Sequence, residues 1–123
     1  MQYVEGLKRM IDKQFEQGKR EKEQQEQEIA GLFGTDRLEI HLFGKVQGVG
    51  FREFVRKTAS ELGVRGFVRN ADNFVEIVAE GAKKDLEKLL EPCLKGPVHA
   101  RVEKHTAKWK NGTGEFSTFQ IQH

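Results

Sequence analysis

Residues 44–52 bring together the two kinds of group that hold a phosphate. Gly44, Gly48 and Gly50 free the backbone for positive φ angles and tight turns, and Arg52 opens an amphipathic helical pattern. A glycine-rich turn before a helix gathers unpaired backbone N–H groups at the positive end of the helix dipole. A guanidinium adds donors that match phosphate oxygens. The segment therefore predicts a cradle for a dianionic phosphate, although such a turn by itself is more often only a tight connection.

The periodicity of residues 36–123 predicts the elements that position this cradle. Apolar residues alternate from Leu38 to Leu42, as in a strand with one buried face, and recur at helical spacing from Phe51 to Leu62, where Gly63 ends the helix. Further along we expect a short strand over 67–69, a turn over 70–73, a strand over 74–80, a helix over 86–94 and strands over 98–109 and 116–121. The order β-α-β-β-α-β predicts a ferredoxin-like α+β sandwich, an antiparallel sheet with two helices on one face. Its other face stays open unless something covers it.

Composition narrows the class of protein. The 123 residues suffice for one domain with a small core, and no apolar run approaches the roughly 20 residues of a membrane span. Cys93 is the single cysteine, which excludes an internal disulfide and fits a reducing compartment, so we expect a cytoplasmic protein. The net charge of +2 is too weak to indicate nucleic-acid binding without a clustered patch. The four histidines, His41, His99, His105 and His123, lack metal-ligand spacing, so we expect them at surface or strand positions.

Residues 1–35 form a charged N-terminal extension, which we separate from a domain over 36–123. Val4, Leu7, Ile11 and Phe15 make one apolar stripe at helical spacing, and a run of charged and amide residues follows. Three interpretations remain open: a helix docked on the open sheet face, a self-associating helix, or a disordered arm that binds something else. We favour a helix whose stripe is docked or self-associating.

Two separated signatures extend the phosphate interpretation. Residues 44–52 read Gly-Lys-Val-Gln-Gly-Val-Gly-Phe-Arg, and residues 66–70 read Gly-Phe-Val-Arg-Asn. Residues 75–81, Val-Glu-Ile-Val-Ala-Glu-Gly, follow in the same order. The whole of 36–123 thereby resembles an acylphosphatase, whereas the first 35 residues do not. The turn at 72–74 departs from the family, with Asp-Asn-Phe where a glycine is usual, but asparagine tolerates left-handed φ angles, so we expect the fold to hold.

The resemblance implies an activity and a set of site residues. Acylphosphatases hydrolyse the carboxyl–phosphate anhydride of acyl phosphates without a metal, a cofactor or a covalent intermediate. By resemblance, Arg52 clamps the phosphate and Asn70 holds the attacking water. The phosphate cradle then consists of the backbone N–H groups of Lys45, Val46, Gln47, Gly48, Val49 and Gly50. The implied partner is a small acyl phosphate or inorganic phosphate, and no nucleic acid is expected.

Other functions fit the sequence less well. RNA-recognition domains share the element order, and Arg65-Gly66-Phe67-Val68 echoes the start of their aromatic motif, but on the second strand instead of the third. A nucleotide P-loop is excluded because no Gly-Lys-Ser/Thr follows the glycines. A non-catalytic or regulatory domain of acylphosphatase type remains the alternative, although Arg52 and Asn70 are both present.

Overall fold

The computed structural model describes residues 36–123, and the predicted N-terminal extension lies outside this range. The described chain forms five strands and two helices. In chain order they are β1 (Asp36–Lys45), α1 (Phe51–Leu62), β2 (Arg65–Asn70), β3 (Phe74–Gly81), α2 (Lys83–Lys95), β4 (Arg101–Asn111) and β5 (Phe119–Gln122). The predicted order of elements is confirmed, and the last strand, expected over 116–121, spans Phe119–Gln122. No helix within 36–123 is both long enough and apolar enough to cross a membrane.

The sheet is mixed, so the prediction of an antiparallel sheet is wrong for its last strand. The strand order is β4-β1-β3-β2-β5, and the β2–β5 pair is parallel while the other three pairs are antiparallel. The reason is topological. Asn111 ends β4 opposite Asp36, at the end of the sheet where β2 also begins. A strand that returns from there at the far edge must run in the same direction as β2.

The core lies between one face of the sheet and the two helices. Leu38, Ile40 and Leu42 are fully buried, as the alternation predicts for β1. The helices contribute their apolar faces, which comprise Phe51, Val55 and Ala59 on α1 and Leu86, Leu89 and Cys93 on α2. Both helices end at the predicted glycines, Gly63 and Gly96. The helical periods that the sequence shows are therefore the periods of burial against the sheet.

The β2–β3 turn closes without the left-handed asparagine that the sequence allows. Within the described chain only glycines have positive φ angles, so Asn73 is not in the left-handed region. The Ala71 N–H instead donates to the Phe74 carbonyl at 2.8 Å. The turn departs from the family in sequence, yet it still joins β2 and β3.

The connection between β4 and β5 covers part of the sheet face that lies away from the helices. Phe116, which the sequence places in a strand, belongs to this connection and packs edge-on against Phe67 of β2, with ring centroids 5.9 Å apart. Because β4 and β5 occupy opposite edges of the sheet, the chain between them has to cross the intervening strands. The face that we expected to be open is therefore partly covered by residues of the same domain.

A buried carboxylate fastens this crossing connection. Glu80 is 1% exposed and accepts hydrogen bonds from the N–H groups of Thr113 and Gly114, both at 3.0 Å, and from the Thr113 hydroxyl at 2.9 Å. Arg37 contacts the same carboxylate at 3.0 Å. Burial alone would raise the pKa of Glu80, but the backbone and hydroxyl donors, together with Arg37, lower it below its ordinary value. The carboxylate is therefore ionised in the folded protein and stabilises the connection.

Replacing Glu80 with glutamine should lower the free energy of unfolding by about 2–4 kcal/mol near neutral pH, because several donors lose a buried, charged acceptor. The pKa of Glu80 is lower in the folded than in the unfolded chain. Its stabilisation is therefore present above the unfolded pKa and is lost as the pH falls through the folded value. Urea unfolding at neutral and acidic pH measures this, and the difference between parent and Glu80→Gln should shrink in acid.

Glu115 provides the matched control, since it contacts the same Arg37 at 3.4 Å but its side chain is 55% exposed. Glu115→Gln should change the unfolding free energy by less than about 1 kcal/mol. Equal effects of the two substitutions, or an effect of Glu80→Gln that does not depend on pH, would contradict this account of the connection.

Candidate active site

The loop between β1 and α1 owes its shape to glycines with positive φ angles. Gly44, Gly48 and Gly50 have φ values of 124°, 74° and 78°. A Cβ at Gly44 would lie 2.3 Å from the Arg101 carbonyl oxygen, so no side chain fits there. Nothing lies within 4 Å of a Cβ at Gly48 or Gly50, where the backbone angle alone favours glycine. The loop therefore begins directly after the point where Gly44 lies close against β4.

The first turn of α1 has no side-chain cap. Gly50 occupies the N-cap position in a left-handed conformation and makes no capping hydrogen bond. The first N–H groups of a helix have no partner within the helix, and the helix dipole makes that end positive. An anion beside this turn would meet both the unpaired donors and the dipole.

A pocket of about 170 Å³ opens beside this loop. It is bounded by the loop, the first turn of α1 and the ends of β2 and β5, and its lining residues are Val46, Gly48, Gly50, Phe51, Arg52, Glu53, Asn70, Ile121 and His123. The structure thus brings Arg52 and Asn70, which are eighteen positions apart in the sequence, to one cavity.

Three of the eight predicted site residues do not line the pocket. Lys45 is exposed at the end of β1. Val49 is partly buried against the core. The side-chain amide of Gln47 points to the β2–β3 turn, where it donates to the carbonyls of Ala71 and Phe74 at 2.9 and 3.0 Å. The side chains of Lys45, Gln47 and Val49 therefore lie away from the cavity.

Sequence reasoning missed two ionisable residues of the pocket, His123 and Glu53. His123 Nδ1 lies 3.3 Å from Arg52 Nη1 and can accept a hydrogen bond from it. The parallel register explains this contact, because Arg69 pairs with Gln122 and the next residue of the chain reaches the level of Asn70. That register depends on the pairing of β5 with β2, which the sequence pattern did not predict.

The charge of Arg52 is not neutralised by a carboxylate of residues 36–123. Glu53 is adjacent in sequence, but its carboxylate binds Arg56, whose Nε lies 3.0 Å from one oxygen and 3.1 Å from the other. This hydrogen bond to Arg56 lowers the pKa of Glu53. Arg52 itself contacts an imidazole nitrogen. The pocket therefore presents a guanidinium and a helix N-terminus together, an arrangement whose chemistry suits an oxyanion. Within 36–123 no group of three or more His, Cys, Asp and Glu residues is arranged to hold a metal ion.

Comparison with known proteins agrees with this geometry. The family model for acylphosphatase matches residues 38–121, which include the pocket loop, Arg52 and Asn70. The chain belongs to the acylphosphatase family. An acylphosphatase from a Roseiflexus species is 44% identical over 86 residues, covering 69% of this chain and 92% of the relative. An acylphosphatase from Salinibacter ruber is 42% identical over 91 residues, covering 72% of this chain and 96% of the relative.

Solved structures of acylphosphatases share the fold. The acylphosphatase of Bacillus subtilis superimposes with a TM-score of 0.69 at 31% identity, covering 72% of this chain and 99% of that one. Full-length HypF in its phosphate- and nucleotide-bound form superimposes with a TM-score of 0.67 at 29% identity. The match covers 72% of this chain but 12% of the HypF chain. The acylphosphatase fold thus also occurs as one part of a larger protein.

Inorganic phosphate should stabilise the protein against heat, because an anion bound to the folded state alone adds stability by mass action. At about 100 times the dissociation constant the gain is about 2.7 kcal/mol. Arg52→Ala should abolish most of the rise in Tm, since it removes the guanidinium from the pocket. Arg65→Ala is the matched control, because Arg65 begins β2 at the end opposite Asn70 and does not line the pocket. A phosphate-dependent rise in Tm that survives in Arg52→Ala would place the anion elsewhere.

Proposed function

We propose that the domain over 36–123 hydrolyses acyl phosphates to a carboxylate and inorganic phosphate. Arg52 and the loop amides hold the phosphoryl group, and Asn70 orients the attacking water. The observation that carries this proposal is the shared pocket, since Arg52 and Asn70 both line it together with Gly48 and Gly50. Membership of the acylphosphatase family supports the reaction, and the geometry supports the assignment of roles.

Arg52 is suited to the phosphoryl group because its guanidinium is planar. A planar fork can bind two phosphate oxygens at once, which an ammonium group cannot do with the same geometry. The backbone N–H groups of residues 45–50 and the first turn of α1 supply further donors near the same point. Charge spread over the phosphoryl oxygens in the transition state is thus met by donors that are in place before the reaction begins.

Asn70 is suited to the water because a carboxamide can accept one hydrogen bond and donate another, although it cannot remove a proton. The water oxygen forms a bond to phosphorus as the bond from phosphorus to the carboxyl oxygen breaks. The carboxylate leaves with the bonding electron pair. The water proton passes to an oxygen of the phosphoryl group, so that the products are a carboxylate and inorganic phosphate.

The surroundings of Asn70 favour this transfer to the substrate. Glu53 lines the same pocket, but its carboxylate is held by Arg56 and its pKa is lowered, which makes it a weak base. The Nδ1 atom of His123 faces Arg52. An acyl phosphate already carries a good leaving group, so alignment and charge stabilisation account for most of the catalysis.

A non-catalytic phosphate-binding domain is the second candidate. The pocket would also serve such a domain, because the loop, the helix N-terminus and Arg52 can bind an anion without a positioned water. The presence of both Arg52 and Asn70 in one pocket argues for the enzyme instead.

Cys93 is fully buried, and burial raises the pKa of its thiol to about 12. The thiol is therefore unreactive. A buried, unreactive thiol is compatible with the cytoplasmic location that we also propose.

Hydrolysis of benzoyl phosphate, followed by its absorbance, tests the proposal. Arg52→Ala should lower kcat/KM by about 10³-fold or more, because it removes the main charged donor to the transition state. Asn70→Ala should lower kcat about a hundredfold, because the water is no longer aimed.

Two controls differ from these residues in position but not in type. Arg65→Ala at the start of β2 and Asn73→Ala in the exposed β2–β3 turn should each change kcat/KM by less than about threefold. A folded parent protein that hydrolyses benzoyl phosphate no faster than water does would favour the binding domain over the enzyme.

A further inference from the structure

Gln47 makes the hydrogen bonds that join the phosphate loop to the β2–β3 turn. Its Nε2 atom donates to the Ala71 carbonyl at 2.9 Å and to the Phe74 carbonyl at 3.0 Å, 24 and 27 residues further along the chain. A primary amide has two N–H groups, so both of its donors are used. Among residues 36–123 no other hydrogen bond connects residues 46–50 with residues 70–74.

We propose that Gln47 is a positioning residue for the hydrolysis, one that fixes Asn70 relative to the phosphate cradle. This inference rests on the proposed role of Asn70. Ala71 directly follows Asn70, and the Phe74 carbonyl also accepts the Ala71 N–H at 2.8 Å. The amide of Gln47 therefore holds both ends of the turn that begins at Asn70.

The constraint matters because the two halves of the site come from different parts of the chain. Arg52 begins α1, directly after the phosphate loop, whereas Asn70 ends β2. In-line attack needs the water and the phosphorus in one alignment, and an error of about 1 Å can cost about a hundredfold in rate. Phosphate binding itself uses the backbone of the loop, the helix terminus and Arg52, which do not need the side chain of Gln47. Loss of Gln47 should therefore reduce kcat more than it weakens phosphate binding.

A double-mutant cycle between Gln47 and Asn70 tests this inference in the full chain. Gln47→Met keeps the length of the side chain and removes its donors. Gln47→Leu removes the same donors without adding a charge and replaces the methionine variant if that variant folds poorly. Gln120→Met is the control, since Gln120 is exposed on β5 and does not line the pocket. The measurements are kcat with benzoyl phosphate and, for the methionine variants, the inhibition constant of inorganic phosphate.

Gln47→Met should lower kcat about tenfold when Asn70 is present but less than about twofold in the Asn70→Ala background. The phosphate inhibition constant should change by less than about twofold. Gln120→Met should alter neither quantity. A purely structural role would give the same fold loss of kcat in both backgrounds, or a loss of phosphate binding as large as the loss of kcat, and would overturn the inference.

The same cycle separates the two proposals. An Asn70→Ala enzyme as active as the parent refutes the proposed role of Asn70, and with it the route by which Gln47 acts. An Asn70→Ala enzyme that is impaired, combined with an equal cost of Gln47→Met in both backgrounds, refutes the role of Gln47 alone.

Discussion

The close approach of Gly44 to β4 is the constraint on which the position of the loop between β1 and α1 depends. Its φ angle of 124° and the Arg101 carbonyl, 2.3 Å from where a Cβ would lie, leave room for glycine alone. The β1–β4 register shifts between Phe43 and Gly44, and β1 ends one residue later at Lys45. The loop then turns twice more with positive φ angles before α1 begins. Arg52 faces the pocket because the loop places the first turn of α1 beside it.

A second constraint sets the opposite wall of the pocket. The chain crosses the sheet between β4 and β5, and the buried carboxylate of Glu80 accepts hydrogen bonds from the N–H groups of that crossing at Thr113 and Gly114. Only after this crossing does β5 run beside β2 and bring Ile121 and His123 to the pocket. A buried carboxylate at one end of the sheet thus supports the strand that completes the site at the other end.

Local signals carried much of the prediction. The alternation in β1, the helical spacing from Phe51 to Leu62 and the stop at Gly63 each reflect contacts within a short stretch of chain. The assignment of Arg52 and Asn70 to one site came from two signatures of a family, and periodicity alone would not have predicted it. The structure adds that both side chains share one cavity.

The features that the sequence did not reveal all depend on distant contacts. The parallel pairing of β5, the contact of His123 with Arg52 and the burial of Glu80 follow from the crossing connection. Trp109 is 43% exposed on the edge strand β4, which has a neighbouring strand on one side only. Gln47 belongs to the phosphate signature, yet its side chain serves the turn beyond Asn70.

A crystal structure of the protein with inorganic phosphate tests the central claim most directly. The account predicts a phosphate in the pocket between the loop and Asn70, with oxygens within hydrogen-bond distance of the Arg52 guanidinium and of backbone N–H groups in residues 45–50. Asn70 should lie on the other side of the phosphorus from the Arg52 guanidinium, with a water between Asn70 and the phosphorus. A phosphate bound elsewhere, or one in the pocket that Arg52 does not contact, would contradict it.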